Sequence, residues 1–205
     1  MTAATTTVAE IEIPISERGP SPRKVIVGYG FWLFLLSDII VFSALFAAYA
    51  VLSGRTAGGP SGVQLFHRDN VLVETGCLLL SSFTCAMMSL AIEVRRRGLM
   101  VAGAVLTFAL GAAFLWLELT EFAGMVARGA GPSRSAFLSA FFALVGMHGL
   151  HVSIGLCWLA SMVAQVFTLG WRPMVIDRLA CFSLFWHALD IVWIGVFTIV
   201  YLGAH

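Results

Sequence analysis

Charge is scarce in this sequence. Asp, Glu, Lys and Arg make up 11% of 205 residues, where soluble domains average about 25%. Hydrophobic residues reach 60%, against about 45–50% in soluble chains. So little polar surface cannot cover a water-soluble fold, and the composition points to an integral membrane protein. The formal net charge of +1 excludes a nucleic-acid binder held by bulk positive charge, and no nucleic-acid partner is expected. Cysteine is scarce as well. Cys77, Cys85, Cys157 and Cys181 all lie in apolar runs, and no C-x-x-C pair occurs. Neither a disulfide framework nor a thiolate zinc site is indicated, which leaves four thiols acting as small apolar side chains. The first 24 residues lack the apolar stretch of about 7–15 residues that a signal peptide needs. Residues 1–24 are expected to form a mobile cytoplasmic arm and 25–205 a transmembrane domain, whose first span serves as the uncleaved insertion signal.

Long apolar runs are what the chain has in abundance. A bilayer-spanning helix needs about 20 apolar residues. Five runs qualify, at Val25–Leu52, Val71–Val94, Leu99–Gly124, Ala136–Leu169 and Leu179–Leu202. The fold class is therefore all-α, a bundle of five transmembrane helices. Ser53–Pro60, the turn Arg95-Arg96-Arg97-Gly98, Gly129–Ser133 and Gly170–Pro173 break the runs, and Ser133 or Ser135 can cap the fourth helix. Basic residues set the orientation. Eight (Arg18, Arg23, Lys24, Arg95, Arg96, Arg97, Arg172, Arg178) share one side and four (Arg55, Arg68, Arg128, Arg134) the other. That predicts a cytoplasmic N-terminus and a periplasmic C-terminus.

Against this background the polar residues inside the runs stand out. Each costs roughly 2.5–3.5 kcal/mol at the membrane centre, so each must face protein or water. Asp38, His148, His151, His187 and Asp190 fall near mid-span and form one expected layer, in which Asp38 or Asp190 can pair with a histidine. Glu74, Glu118 and Glu121 form a second layer nearer the periplasmic ends, with Arg128 and Arg134 as available counter-charges and head-group contacts. The three-residue spacings Glu118–Glu121, His148–His151 and His187–Asp190 put each pair on one helix face. The histidines with Asp190 suggest a metal, but His-x-x-His alone lacks a completing ligand. His148 and His151 share one helix face and cannot sandwich a haem, although either with His187 could. The acids are proton-relay candidates. The favoured reading is that these groups join helices, with Met147–Val152 meeting His187–Asp190. No catalytic, cofactor-binding or metal residue is expected.

Three runs also carry a resemblance. Gly131-Pro132-Ser133-Arg134-Ser135-Ala136-Phe137, His148-Gly149-Leu150-His151-Val152 and Phe185-Trp186-His187-Ala188-Leu189-Asp190-Ile191-Val192-Trp193 resemble subunit III of the haem-copper terminal oxidases. So do Glu121 with Phe122, and Ser37 with Asp38. The likeness extends from about Gly28 to Gly203. The Thr56–Pro60 loop and the Phe137–Phe142 stretch look most like the cytochrome bo-type ubiquinol oxidases. Longer members of the family have seven spans, and this chain lacks the first two. Asp38 stands where those members carry a glutamate. The resemblance implies a respiratory complex of the bacterial inner membrane that oxidises ubiquinol, reduces oxygen and moves protons. It implies haems and copper in subunit I, subunits I, II and IV as partners, and contact with membrane phospholipids. This chain, with neither a His-Pro-Glu-Val-Tyr run nor a Cys-x-x-x-Cys motif, would be an accessory subunit without a redox centre, and ubiquinol would be handled elsewhere in the complex. A short cytochrome c oxidase subunit III and an independent proton or solute carrier are the alternatives.

Overall fold

The computed structural model describes residues 23–56 and 68–203. The described chain is all-helical: α1 Arg23–Leu52, α2 Arg68–Glu93, α3 Arg97–Ala127, α4 Ala136–Leu169 and α5 Pro173–Val196. A π-helical turn, Phe197–Leu202, continues α5. Five helices are long and apolar enough to cross a membrane. The expected arm up to residue 22 and most of the Thr56–Pro60 loop lie outside the described residues.

Local chemistry sets the helix ends. Ser135 accepts a hydrogen bond from the Leu138 N–H at 3.2 Å and starts α4. Arg95, at φ 53°, makes the tight corner between α2 and α3. Proline in the first turn starts α5 at Pro173, six residues before the expected Leu179. Asp177 and Arg178, in the second turn, keep the hydropathy of the helix start low, but proline pre-sets helical φ in the first turn and lacks only an N–H that would have no partner.

Lipid tails are as apolar as leucine, so helix association in a membrane rests on close contact and interhelical hydrogen bonds. Both are present. A Cβ on Gly103 would lie 3.0 Å from the Met88 Cβ, which shows how tightly α2 and α3 approach. Gly111 of α3 and Gly155 of α4 flank the Trp186 ring of α5, and a Cβ at either would sit 2.9 Å from it. The Trp186 N–H donates to Ser81 Oγ of α2 at 3.1 Å, so one side chain joins four helices. The α2–α5 contact continues as a hydroxyl seam. The Trp193 N–H donates to Thr75 at 3.1 Å, Ser82 is hydrogen-bonded to His187 at 2.7 Å, and Ser89 to Ser183 at 3.0 Å. Thr84 and Thr107 share a 2.8 Å bond between α2 and α3.

Helix α4 is central, packed on α1, α3 and α5. Helix α1 is peripheral, with 11% of its apolar span buried against 44% for the last span. It lies antiparallel on α4 through Phe31–Trp158, Phe42–His151 and Tyr49–Phe137 ring contacts.

Candidate functional site: a polar layer between the helices

The midplane residues separate into three environments. His151 of α4 directs Nε2 toward Asp38 of α1, 3.8 Å from Oδ2. Its Nδ1 is hydrogen-bonded to the Met147 carbonyl at 2.8 Å, which sets the ring's orientation. This is the one acid–base contact within 4 Å among the described residues. His187 instead turns to α2 and Ser82, and Ser82 also faces the Asp190 carboxylate. His148 is fully buried in an aromatic box of Phe42, Phe114 and Trp193, with ring centroids 6.4, 5.7 and 5.2 Å away. Neither His148 nitrogen has a hydrogen-bond partner among the described residues.

The Met147–Val152 run therefore meets α5 at Phe185 and Trp193, not at His187–Asp190 as the sequence suggests. The reason is rotational. Phe182, Phe185, Trp186, Leu189 and Trp193 form the buried stripe of α5. His187 and Asp190 each follow a stripe residue by one position, about 100° round the helix, and so look toward α2 and α1.

The acids gather where expected, but deeper. Glu74 and Glu118 are buried at 1% and 3% exposure, with Glu121 half-buried beside them. Tyr201, carried inward by the π-helical turn, faces all three. Both oxygens of Glu74 and of Glu118 lack hydrogen-bond partners among the described residues. Glu118 presses on α4, since a Cβ on Gly149 would lie 3.0 Å from its Oε1. The acid layer thus touches the histidine layer. Helical side chains lean toward the N-terminus of their helix, which carries Glu118 toward mid-span. Arg128 faces Glu121, yet its Nε–H donates to the Gly124 carbonyl at 3.1 Å. Arg128 and Arg134 are exposed and neither has a carboxylate within 4 Å among the described residues.

Two groups join helices beyond the polar residues expected from the sequence. One is Arg97, which donates to the Val166 carbonyl at 2.9 Å and lies over the Phe167 ring at 4.8 Å, closing the end of α4. The other is the α2 hydroxyl seam. Its signal was Thr75, Ser82 and Ser89 at seven-residue intervals, the repeat of a helix seam. Among the described residues no three His, Cys, Asp or Glu side chains gather as a metal-binding group.

A multi-pass helical membrane protein, whose intramembrane polar groups are spent mostly between helices, is the class that fold and site define. The chain belongs to the cytochrome c oxidase subunit III family, which its residues 19–205 match. It is 53% identical over 174 residues to the cytochrome bo(3) ubiquinol oxidase subunit 3 of Pseudomonas aeruginosa, an alignment covering 85% of this chain and 83% of that protein. It is 52% identical to the subunit of the same name from Pseudomonas putida, over 84% of both chains. The quinol oxidase subunit 3 of Bacillus subtilis is 44% identical, over 84% of this chain and 85% of the relative.

Proposed function

We propose that this chain is the accessory, non-catalytic subunit III of a proton-pumping ubiquinol oxidase in a bacterial inner membrane. The observation that carries the proposal is the 53% identity, across 83% of its length, to a subunit named for ubiquinol oxidation. In this reading subunit I holds the haems and copper and is the main contact, subunits II and IV complete the complex, and the N-terminus faces the cytoplasm. The polar layer serves assembly. Asp38–His151 fastens peripheral α1 to α4, and Ser82–His187 fastens α5 to α2. Among the described residues, Glu74, Glu118 and Glu121 form the group suited to passing protons, with Tyr201 against it. Arg128 and Arg134, exposed next to the bundle end, suit lipid head groups.

The test is deletion of the chain from the assembled oxidase. Normal haem spectra, with lower yield or faster inactivation, support the reading. A stoichiometric haem band in the isolated chain contradicts it. The electron donor is tested in the neighbouring subunit II, where a Cys-x-x-x-Cys copper site would mark cytochrome c oxidation instead.

A further inference from the structure

A groove of about 430 Å³ runs between α1 and α5, within the ~300–1,000 Å³ of small-molecule sites. Trp32, Phe42 and Phe46 of α1 and Ile191 of α5 line it. The Phe46 ring packs on Gly195, 3.2 Å from where a Cβ would stand. The walls are aromatic and aliphatic, with two exceptions, His187 and Ser43.

His187 is held as the polar group of a binding site is held. Its Nδ1 is hydrogen-bonded to Ser82 at 2.7 Å, and Ser82 also faces Asp190, so the ring is fixed from behind. Nε2 has no hydrogen-bond or ion-pair partner among the described residues. Unlike both nitrogens of His148, it is not sealed in protein. It therefore reaches the surface, at the groove that the His187 ring lines. Ser43 Oγ donates to the Ile39 carbonyl at 2.7 Å and keeps lone pairs with which to accept a second bond.

Depth decides the class of occupant. His187 lies midway along the 30-residue span Pro173–Leu202, about 15 Å from either interface of a ~30 Å hydrocarbon core. A phospholipid keeps its polar atoms at the interface and offers only methylenes at that depth, which would leave Nε2 unpaired in hydrocarbon. A ring that bears an oxygen and is carried on an apolar tail satisfies the nitrogen and the walls together. We propose that the α1–α5 groove holds a membrane-soluble quinone or quinol, with one ring oxygen hydrogen-bonded to His187 Nε2 and the tail along the aromatic wall. A neutral imidazole serves both forms. It accepts from a quinol hydroxyl or, in its other tautomer, donates to a quinone carbonyl. The ligand class rests on the ubiquinol oxidase reading. The groove holds the ligand only, and its oxidation belongs elsewhere in the complex.

The experiment uses the intact complex, depleted of its own quinone, and an azido-ring ubiquinone that crosslinks to its surroundings on illumination. Peptide mass spectrometry is expected to find label in α1 and α5 of this chain, removed by excess ubiquinone and not by phosphatidylethanolamine. His187→Phe should lower labelling of this chain about fivefold, the worth of one hydrogen bond. His187→Gln keeps a polar amide at that depth and should restore part of it. Because His187 also fastens α5 to α2, a second variant leaves it in place. Ile191→Trp, at a groove residue 70% exposed, fills the groove without entering the core and should abolish labelling of this chain. Label absent from this chain in the wild type would overturn the proposal. So would label unchanged in His187→Phe or in Ile191→Trp, or phosphatidylethanolamine competing as well as ubiquinone. A disulfide from Ser43→Cys to a helix of another subunit would overturn it by showing a protein occupant. If the same complex still oxidises ubiquinol, those results leave the subunit reading standing. A complex that oxidises no ubiquinol overturns that reading and the proposal with it.

Discussion

His151 Nε2 and Asp38 Oδ2 lie 3.8 Å apart and form the one acid–base contact among the described residues that ties α1 to the bundle. The two side chains keep 15% and 22% exposure, so the pair is a modest clasp and not a sealed ion pair. Polar contacts between transmembrane helices average about 0.6 kcal/mol in double-mutant cycles. A cycle of Asp38→Leu and His151→Leu, read by unfolding of the chain in detergent, should give a coupling of that order. Zero coupling would mean that α1 is held by its aromatic contacts alone.

The Trp186 slot should tolerate less change. Gly111→Ala or Gly155→Ala puts a methyl about 2.9 Å from the indole. Overpacking of this kind costs roughly 1–3 kcal/mol. Trp186→Phe should partly rescue either variant while losing the bond to Ser81. Thermal unfolding of the single and paired variants checks this, and an alanine variant as stable as wild type would show that the slot is wider than described.

Glu118 separates packing from proton transfer. Glu118→Gln preserves shape against Gly149 and removes the acid. If packing is the role of Glu118, oxygen consumption per haem stays unchanged in the Gln variant, while Gly149→Ala, crowding the same carboxylate, lowers the yield of assembled complex. Normal assembly with slowed turnover in Glu118→Gln would instead assign the cluster to proton movement.

The hydroxyl seam predicts small, additive losses. Thr75→Val, Ser82→Ala and Ser89→Ala each remove one α2–α5 hydrogen bond, at about 0.6 kcal/mol apiece. The triple variant, measured by the same unfolding assay, should fall near the sum, because the sites are spaced two turns apart.

These contacts show what the sequence made legible. Hydropathy over about 20 residues marks a span whatever its neighbours do, so all five helices were readable, with Ala136–Leu169 matched to the residue and α1 starting at Arg23, two residues before the expected Val25. Helix α5 starts ahead of its apolar run because Asp177 and Arg178 in the second turn lower hydropathy without opposing the helix. That Asp38, His148, His151, His187 and Asp190 face protein was readable from cost alone. Their pairing was not. A partner depends on helix rotation, where one residue is about 100°, and on the lean of side chains toward their helix N-terminus, which brings Glu118 against Gly149. Arg97 was read only as topology, since its acceptor lies 69 positions away in the sequence.

The account turns on this chain supporting an oxidase without holding its redox centres. Its most direct test is the haem content and ubiquinol-dependent oxygen consumption of the complex purified with and without this chain. The account predicts the same haem spectrum and the same initial turnover per haem, with poorer yield and faster inactivation when the chain is missing. Loss of a haem signal on its removal, or a stoichiometric haem in the isolated chain, would contradict it.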